Sequence, residues 1–311
     1  MKKPGELGSG VNMRNVGFIT LFPLLLGAGI SQKADWHWKD SRGNFKSTEE
    51  LEVILKNHRE WDQGEQKGER ANLSGADLAD AHLPGVNLRW ADLSRAQLSG
   101  VDFSDANLRG VDFSRANLSG AKLHSVDLSR GDLHEGNLQE ADFSWANLFR
   151  AVLGGANLSG ANFSNADLRE TNLKEVDLRG ANLSRAFLSW ANLNGASLIG
   201  ANLRRANLRG AKLEKSYLNE ADLRGAELSN ANLNGTDLSG ADLSQANLSQ
   251  ANLSGADVYG ISGWSTIGTL KLANVSGVRN PPEHFLDWAV KEMGAVSLSF
   301  DEWIRLKEGT R

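Results

Sequence analysis

Six histidines and 38 acidic side chains are the groups with which this 311-residue chain could do metal or acid–base chemistry. The histidines are His37, His58, His82, His124, His134 and His284. Cysteine is absent, which removes disulfides, thiolate zinc sites, thiol nucleophiles and lipid attachment at Cys. A metal centre needs imidazoles or carboxylates converging on one point. A hydrolytic site needs a base held beside a nucleophile in a concave pocket. Neither spacing occurs. The histidines are scattered, and most carboxylates recur at fixed offsets, as they would along a repetitive surface. The sequence therefore implies a protein that is not an enzyme, with no catalytic residue, no cofactor, no metal and no small-molecule substrate.

The elements that position these side chains follow from one phrase. A-(D/N)-L-x-x runs from Ala71 to Gly260 as 38 pentapeptides without an insertion or deletion. The third residue, the centre, is Leu 33 times, Phe at Phe103, Phe113, Phe143 and Phe163, and Val at Val258. The first is Ala 28 times and otherwise small or β-branched. A period of five smears an apolar stripe around a helix and does not sustain the alternation of a long strand. It reads as a very short strand followed by a corner, and Gly at the fifth position suits a corner because it accepts positive φ. Such units stack into a coil whose turns pair backbone to backbone at about 4.8 Å, with the Leu and Ala columns as a continuous core.

The pattern resembles the pentapeptide-repeat family over residues 71–260. That resemblance implies an all-β solenoid, a right-handed quadrilateral β-helix with four pentapeptides per coil. On that basis the repeat makes about nine and a half coils and is about 45 Å long, with short helical caps at both ends.

The flanks divide the rest. Residues 1–34 read as a signal peptide or membrane anchor. The uncharged stretch 16–30 follows Lys2, Lys3 and Arg14, is short for a bilayer span, and ends in Gly27-Ala28-Gly29. Met13 is an alternative start, and a segment buried against the first coil is an alternative fate for 16–30. Residues 35–70 form an N-terminal capping region. In it, Ser47 and Glu50 make a capping box before a helix at 48–61, with Leu51, Ile54, Leu55, His58 and Trp61 on one face. Residues 261–311 hold a degenerate last coil and then a helix started by Asn280-Pro281-Pro282. A second capping box at Ser299–Glu302 precedes a short helix with Trp303, Ile304 and Leu306. This region is read either as an end cap or as the element of a homodimer.

With four walls, every fourth centre stacks. His124 and His134 then fall on different walls. The wall starting at Leu78 carries seven acids and one base, net −6, and the wall starting at Leu88 carries six arginines and four acids, net +2. The Leu88 wall and its entering corner also gather Trp145, Phe149, Phe187 and Trp190 near Arg150 and Arg169. A contiguous aromatic patch bordered by Arg marks a contact site, although rings that only stack on their neighbours would look the same. The expected function is a non-catalytic scaffold that presents its walls to an unidentified protein partner, in the bacterial cell envelope if residues 16–30 direct export or tether the chain, otherwise in the cytoplasm. The alternative, which the resemblance permits, is a DNA mimic that modulates DNA gyrase. Duplex DNA at one charge per 1.7 Å would need about 26 charges over this length. The repeat holds 22 acids and 17 bases, net −5, so mimicry and direct nucleic-acid binding are both disfavoured.

Overall fold

The computed structural model describes residues 36–309. The segment expected to be a signal peptide or anchor, and Met13, lie outside the described residues. Among those described, no helix is long and apolar enough to cross a membrane.

Parallel bridges join each second-position residue to the one twenty residues on, from Asn72↔Asp92 to Asp242↔Ser262. Twenty residues per turn is four pentapeptides, so the repeat is four-sided. Its bore is filled. Every centre from Leu73 to Val258 is at most 3% exposed. The rings of Phe143 and Phe163, one coil apart, stack at 4.8 Å, and Phe103 and Phe113 meet across the bore from opposite walls at 5.9 Å. The polar first-position residues are buried yet satisfied: Thr171 donates to the Leu148 carbonyl at 3.0 Å, and Ser216 and Thr236 both donate to that of Leu213 at 2.7 Å.

Three sets of bonds explain the phrase. The N–H after every corner but the one before Val176 closes a turn onto the preceding centre, as Ala76 does onto the Leu73 carbonyl at 3.0 Å. Positive φ falls on the third residue of that turn, the fifth of the pentapeptide, which is the geometry of a type II turn. All 38 corners adopt it, 22 of them without Gly. A non-Gly residue in this region costs roughly 1–2 kcal/mol, and every corner N–H but that of Gly260 gains a bond to the next coil, as Trp90 does to the Arg109 carbonyl at 2.9 Å. The second position is Asn or Asp because its carboxyl or amide oxygen accepts the N–H two residues on (Ser104 to Asp102, 3.1 Å). Asn side chains also donate down the rod in ladders, such as Asn202 to Asn182 at 3.1 Å and Asn182 to Asn162 at 3.0 Å.

The repeat does not simply decay after Gly260. A 3₁₀ turn at Trp264–Thr266 adds two residues to one coil. Bridges then step by 22, as in Asn252↔Asn274 and Asp257↔Arg279. The phrase resumes as Ala273-Asn274-Val275-Ser276-Gly277, with Leu270 and Val275 in the core.

A hairpin, β1 (Trp38–Lys39) paired with β2 (Phe45–Lys46), bridges its Lys39 antiparallel to Asp77 on the first coil. Helix α1 (Thr48–Asp62) follows, with both bonds of the Ser47–Glu50 capping box formed. It buries Leu51, Leu55 and His58 against the first coil, and its Asp62 accepts from Asn87 at 2.8 Å and Arg89 at 3.1 Å. At the other end lie α2 (Phe285–Lys291) and α3 (Phe300–Gly309). The expectation that Asn280 caps the first of them is corrected. Asn280 instead turns back and donates to both Asp257 carboxyl oxygens, at 3.1 and 3.0 Å, and the helix begins after His284. Phe285, Ala289 and Trp303 are buried, and Trp303 Nε1 donates to the Leu272 carbonyl at 2.8 Å.

Candidate functional site

Among the described residues no cluster of His, Asp or Glu has the geometry of a metal site. The pockets are shallow grooves between ridges of outward side chains. Attention therefore falls on the surface of the walls.

The wall that starts at Leu88 presents large aromatics to solvent: Trp190 is 60% exposed and Phe187 48%, with Trp145 at 62% on the entering corner. Phe149 is half-buried, because Arg150 and Arg169 hold their guanidinium groups 4.9 and 5.8 Å from its ring centre. This is cation–π spacing. Those three predicted residues form one unit. The other three do not stack on it or on one another. Trp190 lies over Gly210, where a Cβ would stand 2.5 Å from the ring, and Trp90 lies over Gly110 in the same way. At these two corners the Gly above leaves room for the Trp ring, whereas Asn165 stands above Trp145.

Three of the six arginines of this wall are already neutralised. Arg150 pairs with Glu170 one coil on at 2.7 Å, Arg169 with Asp167 two residues back at 2.6 Å, and Arg89 with Asp62 at 3.1 Å. The Asp-x-Arg arrangement recurs at Asp177–Arg179 and Asp222–Arg224. The Arg179 and Arg224 guanidinium groups hold Asp177 and Asp222 below the ordinary value of 3.8. At Asp167 partial burial pushes upward, but the bonds from Arg169 and the backbone outweigh it and the net shift is down.

Further arginines, which the sequence reading did not single out, lie on the corner that carries Trp145 and on the wall before it. Asn165, Ser184, Arg185, Asn202, Arg204 and Arg205 line a groove of about 340 Å³. Arg185 and Arg205 are exposed corners one coil apart, and among the described residues no carboxylate lies within 4.0 Å of either. Arg204 is 4.0 Å from Asp222, which Arg224 already chelates. A signal for them did exist. Arg204 follows Asn202 rather than Asp, and Asn-x-Arg lacks the internal counter-ion that Asp-x-Arg carries. A second polar groove of about 290 Å³, around Arg95, Arg115 and His134, differs in that Asp112 lines it and Glu135 pairs Arg115 at 2.8 Å.

Comparison with known proteins agrees with this architecture. The family model for pentapeptide repeats matches in eight copies between residues 71 and 261. The chain is similar to HetL, a pentapeptide repeat protein involved in heterocyst differentiation regulation in the cyanobacterium Nostoc sp. Strain PCC 7120. The identity is 32%, covering 69% of this chain and 93% of HetL, with a TM-score of 0.39. It is also similar to full-length QnrB1, a plasmid-mediated fluoroquinolone resistance protein, at 20% identity over 72% of this chain and 98% of that one, TM-score 0.32. A third likeness is to a pentapeptide repeat protein of the Arabidopsis thaliana thylakoid lumen, at 27% identity over 48% of this chain and 90% of that one, TM-score 0.20. Among curated protein sequences nothing matches. With its repeat matched from end to end by the family model, the chain belongs to the pentapeptide-repeat family, non-catalytic repeat scaffolds built as right-handed quadrilateral β-helices.

Proposed function

We propose that this scaffold, about nine and a half coils closed by helical caps at both ends, binds a protein partner through the Leu88 wall. The observation that carries the reading is the exposure of Trp145, Phe187 and Trp190 around a Phe149 framed by Arg150 and Arg169. Aromatic and Arg side chains dominate binding energy at protein interfaces, and a rigid wall presents them with little ordering cost. The units are residues 35–70 and 261–311 as closing elements and 71–260 as the rod, with 1–34 as an export or anchoring segment that would put the partner in the bacterial cell envelope. Leu286, Val290 and Phe300, exposed on the C-terminal helices, are the residues through which a homodimer would form. The charge pattern weighs against gyrase mimicry, because acids that pair with an adjacent Arg cannot serve as stand-ins for phosphates.

The test replaces Trp145, Phe149, Phe187 and Trp190 together by Ser and compares captured partners. Loss of partners that the wild-type chain retains, with circular dichroism unchanged, is expected. An identical set of partners overturns the reading. Cell fractionation with sequencing of the mature N-terminus tests export: cytosolic protein that keeps residues 16–30 is the contrary outcome.

A further inference from the structure

Arg occupies the same corner on two successive coils at three places in the rod. Two of these pairs end in a counter-ion: Arg95 and Arg115 are followed one coil on by Glu135, and Arg130 and Arg150 by Glu170, with ion pairs of 2.8 and 2.7 Å. The third pair, Arg185 and Arg205, is followed by Gly225, and the Arg205 stem rests where a Gly225 Cβ would come within 3.5 Å of it. Like charges about one coil spacing apart repel, and among the described residues no carboxylate lies within 4.0 Å of either arginine of this pair.

The adjoining wall sharpens the contrast. Its second positions run Asp142, Asn162, Asn182, Asn202, Asp222, and the three Asn amides are committed to one another and to Asp142 in a ladder with bonds of 2.9 to 3.1 Å. Across these three coils the wall carries no carboxylate. Ser184, Asn165 and Asn202 give the groove floor neutral polar groups, while Arg185, Arg204 and Arg205 form its rim. Trp145 stands on the same corner, one coil below Asn165 and two below Arg185, and Phe187 lies two residues beyond Arg185, both exposed.

We propose that the Arg185–Arg204–Arg205 groove takes the carboxylates of an acidic segment of a partner protein, with an apolar side chain of that segment resting on Trp145 or Phe187. This rests on reading the neighbouring wall as a partner-binding face. Carboxylates fit because the guanidinium fork accepts them two bonds at a time. Duplex DNA fits poorly. It presents charge every 1.7 Å, whereas this groove gathers three arginines on a chain of net charge −4.

The test is fluorescence anisotropy of the full chain with a labelled peptide of glutamates around one phenylalanine, against a glutamine version and a short DNA duplex. The wild-type chain should bind the glutamate peptide, more weakly as salt rises. R185E/R205E should weaken it at least about tenfold. R185K/R205K, which keeps charge but loses the fork, should fall between, and R95E should match the wild type. Three results overturn the proposal: no binding of the glutamate peptide, equal binding by wild type and R185E/R205E, or tighter binding of the duplex with the same Arg dependence. The two readings fail separately. If the four aromatic-to-Ser changes leave partner capture intact while R185E/R205E abolishes peptide binding, the aromatic patch falls and the groove stands. If the aromatic changes abolish capture and R185E/R205E changes neither readout, the groove falls and the patch stands.

Discussion

The middle of the rod and its N-terminal end bury similar apolar side chains but hold them by different means. A mid-rod centre such as Leu168 is 1% exposed, and its N–H donates to the Phe187 carbonyl at 2.7 Å in an unbroken ladder with coils above and below. At the first coil the neighbours on one side are a hairpin and a helix, attached by a few specific contacts. One is an imidazole: His58 is fully buried, and its Nδ1 accepts the Ala71 N–H at 3.1 Å. Redundant backbone pairing makes the middle insensitive to any single surface group. The end depends on particular side chains, so conditions that leave the rod untouched should loosen it.

The largest effect should come from Leu168→Asp. A carboxylate in the bore has no partner there, and desolvating it costs several kcal/mol. Because each coil is the template for the next, neighbouring coils should be lost with it. Circular dichroism and limited proteolysis should show a truncated or unfolded rod. If cleavage stays confined to the end elements, coils are not coupled through the core and the contrast with the end disappears.

How much of this was readable in advance divides along the same line. The register, the buried columns and the limits of α1 were legible because period and capping chemistry are local. The closing coil is legible only as degenerate because two inserted residues at Trp264–Thr266 shift the phase, although Ala273-Asn274-Val275 restores the phrase. The Asn280 cap was misread because a long-range bond to Asp257 outcompetes the local one. On the surface, Trp145, Phe187 and Trp190 were legible as exposed, but pairing was not. Arg150 and Arg169 read as a basic border and are held by Glu170 and Asp167, while Arg185 and Arg205 have no carboxylate within 4.0 Å among the described residues. Pairing depends on what stacks twenty residues away, and it becomes readable once that spacing is applied to the fourth and fifth positions.

A smaller effect should follow from pH, and only at the end. With Nδ1 accepting from Ala71, the neutral His58 carries its proton on Nε2, which is buried without a partner among the described residues. Burial lowers its affinity for a second proton below the ordinary value of 6.5, and Arg70 pushes the same way against Asp62. The unfolded end therefore binds a proton more readily than the folded end does. The closing contact should be fully stable above pH 6.5 and weaken as pH falls below it. Hydrogen exchange at Ala71 and Leu73 should rise between pH 7.5 and pH 5 after correction for intrinsic rates, with mid-rod amides unchanged. His58→Gln, which can still accept from Ala71 and does not titrate, should remove the dependence. A mid-rod response of the same size would mean the end is not separately held.

The smallest effect should come from Ser47→Ala. Ser47 Oγ accepts the Glu50 N–H at a long 3.4 Å, while the return bond, Ser47 N–H to Glu50 Oε2, is 2.8 Å. Trp38 Nε1 also donates to the Ser47 carbonyl at 2.9 Å. The substitution removes only the longest of the three, so the loss should lie at the low end of the ~0.5–2 kcal/mol range for helix caps. It should appear as faster exchange in the first turn of α1, with thermal unfolding of the rod unshifted, because the backbone ladder beginning at Asn72 does not pass through this cap. A lowered midpoint for the whole chain would place α1 within the cooperative unit of the rod. The end would then be a boundary of the solenoid in sequence only, and the His58 effect would have to spread to every coil as well.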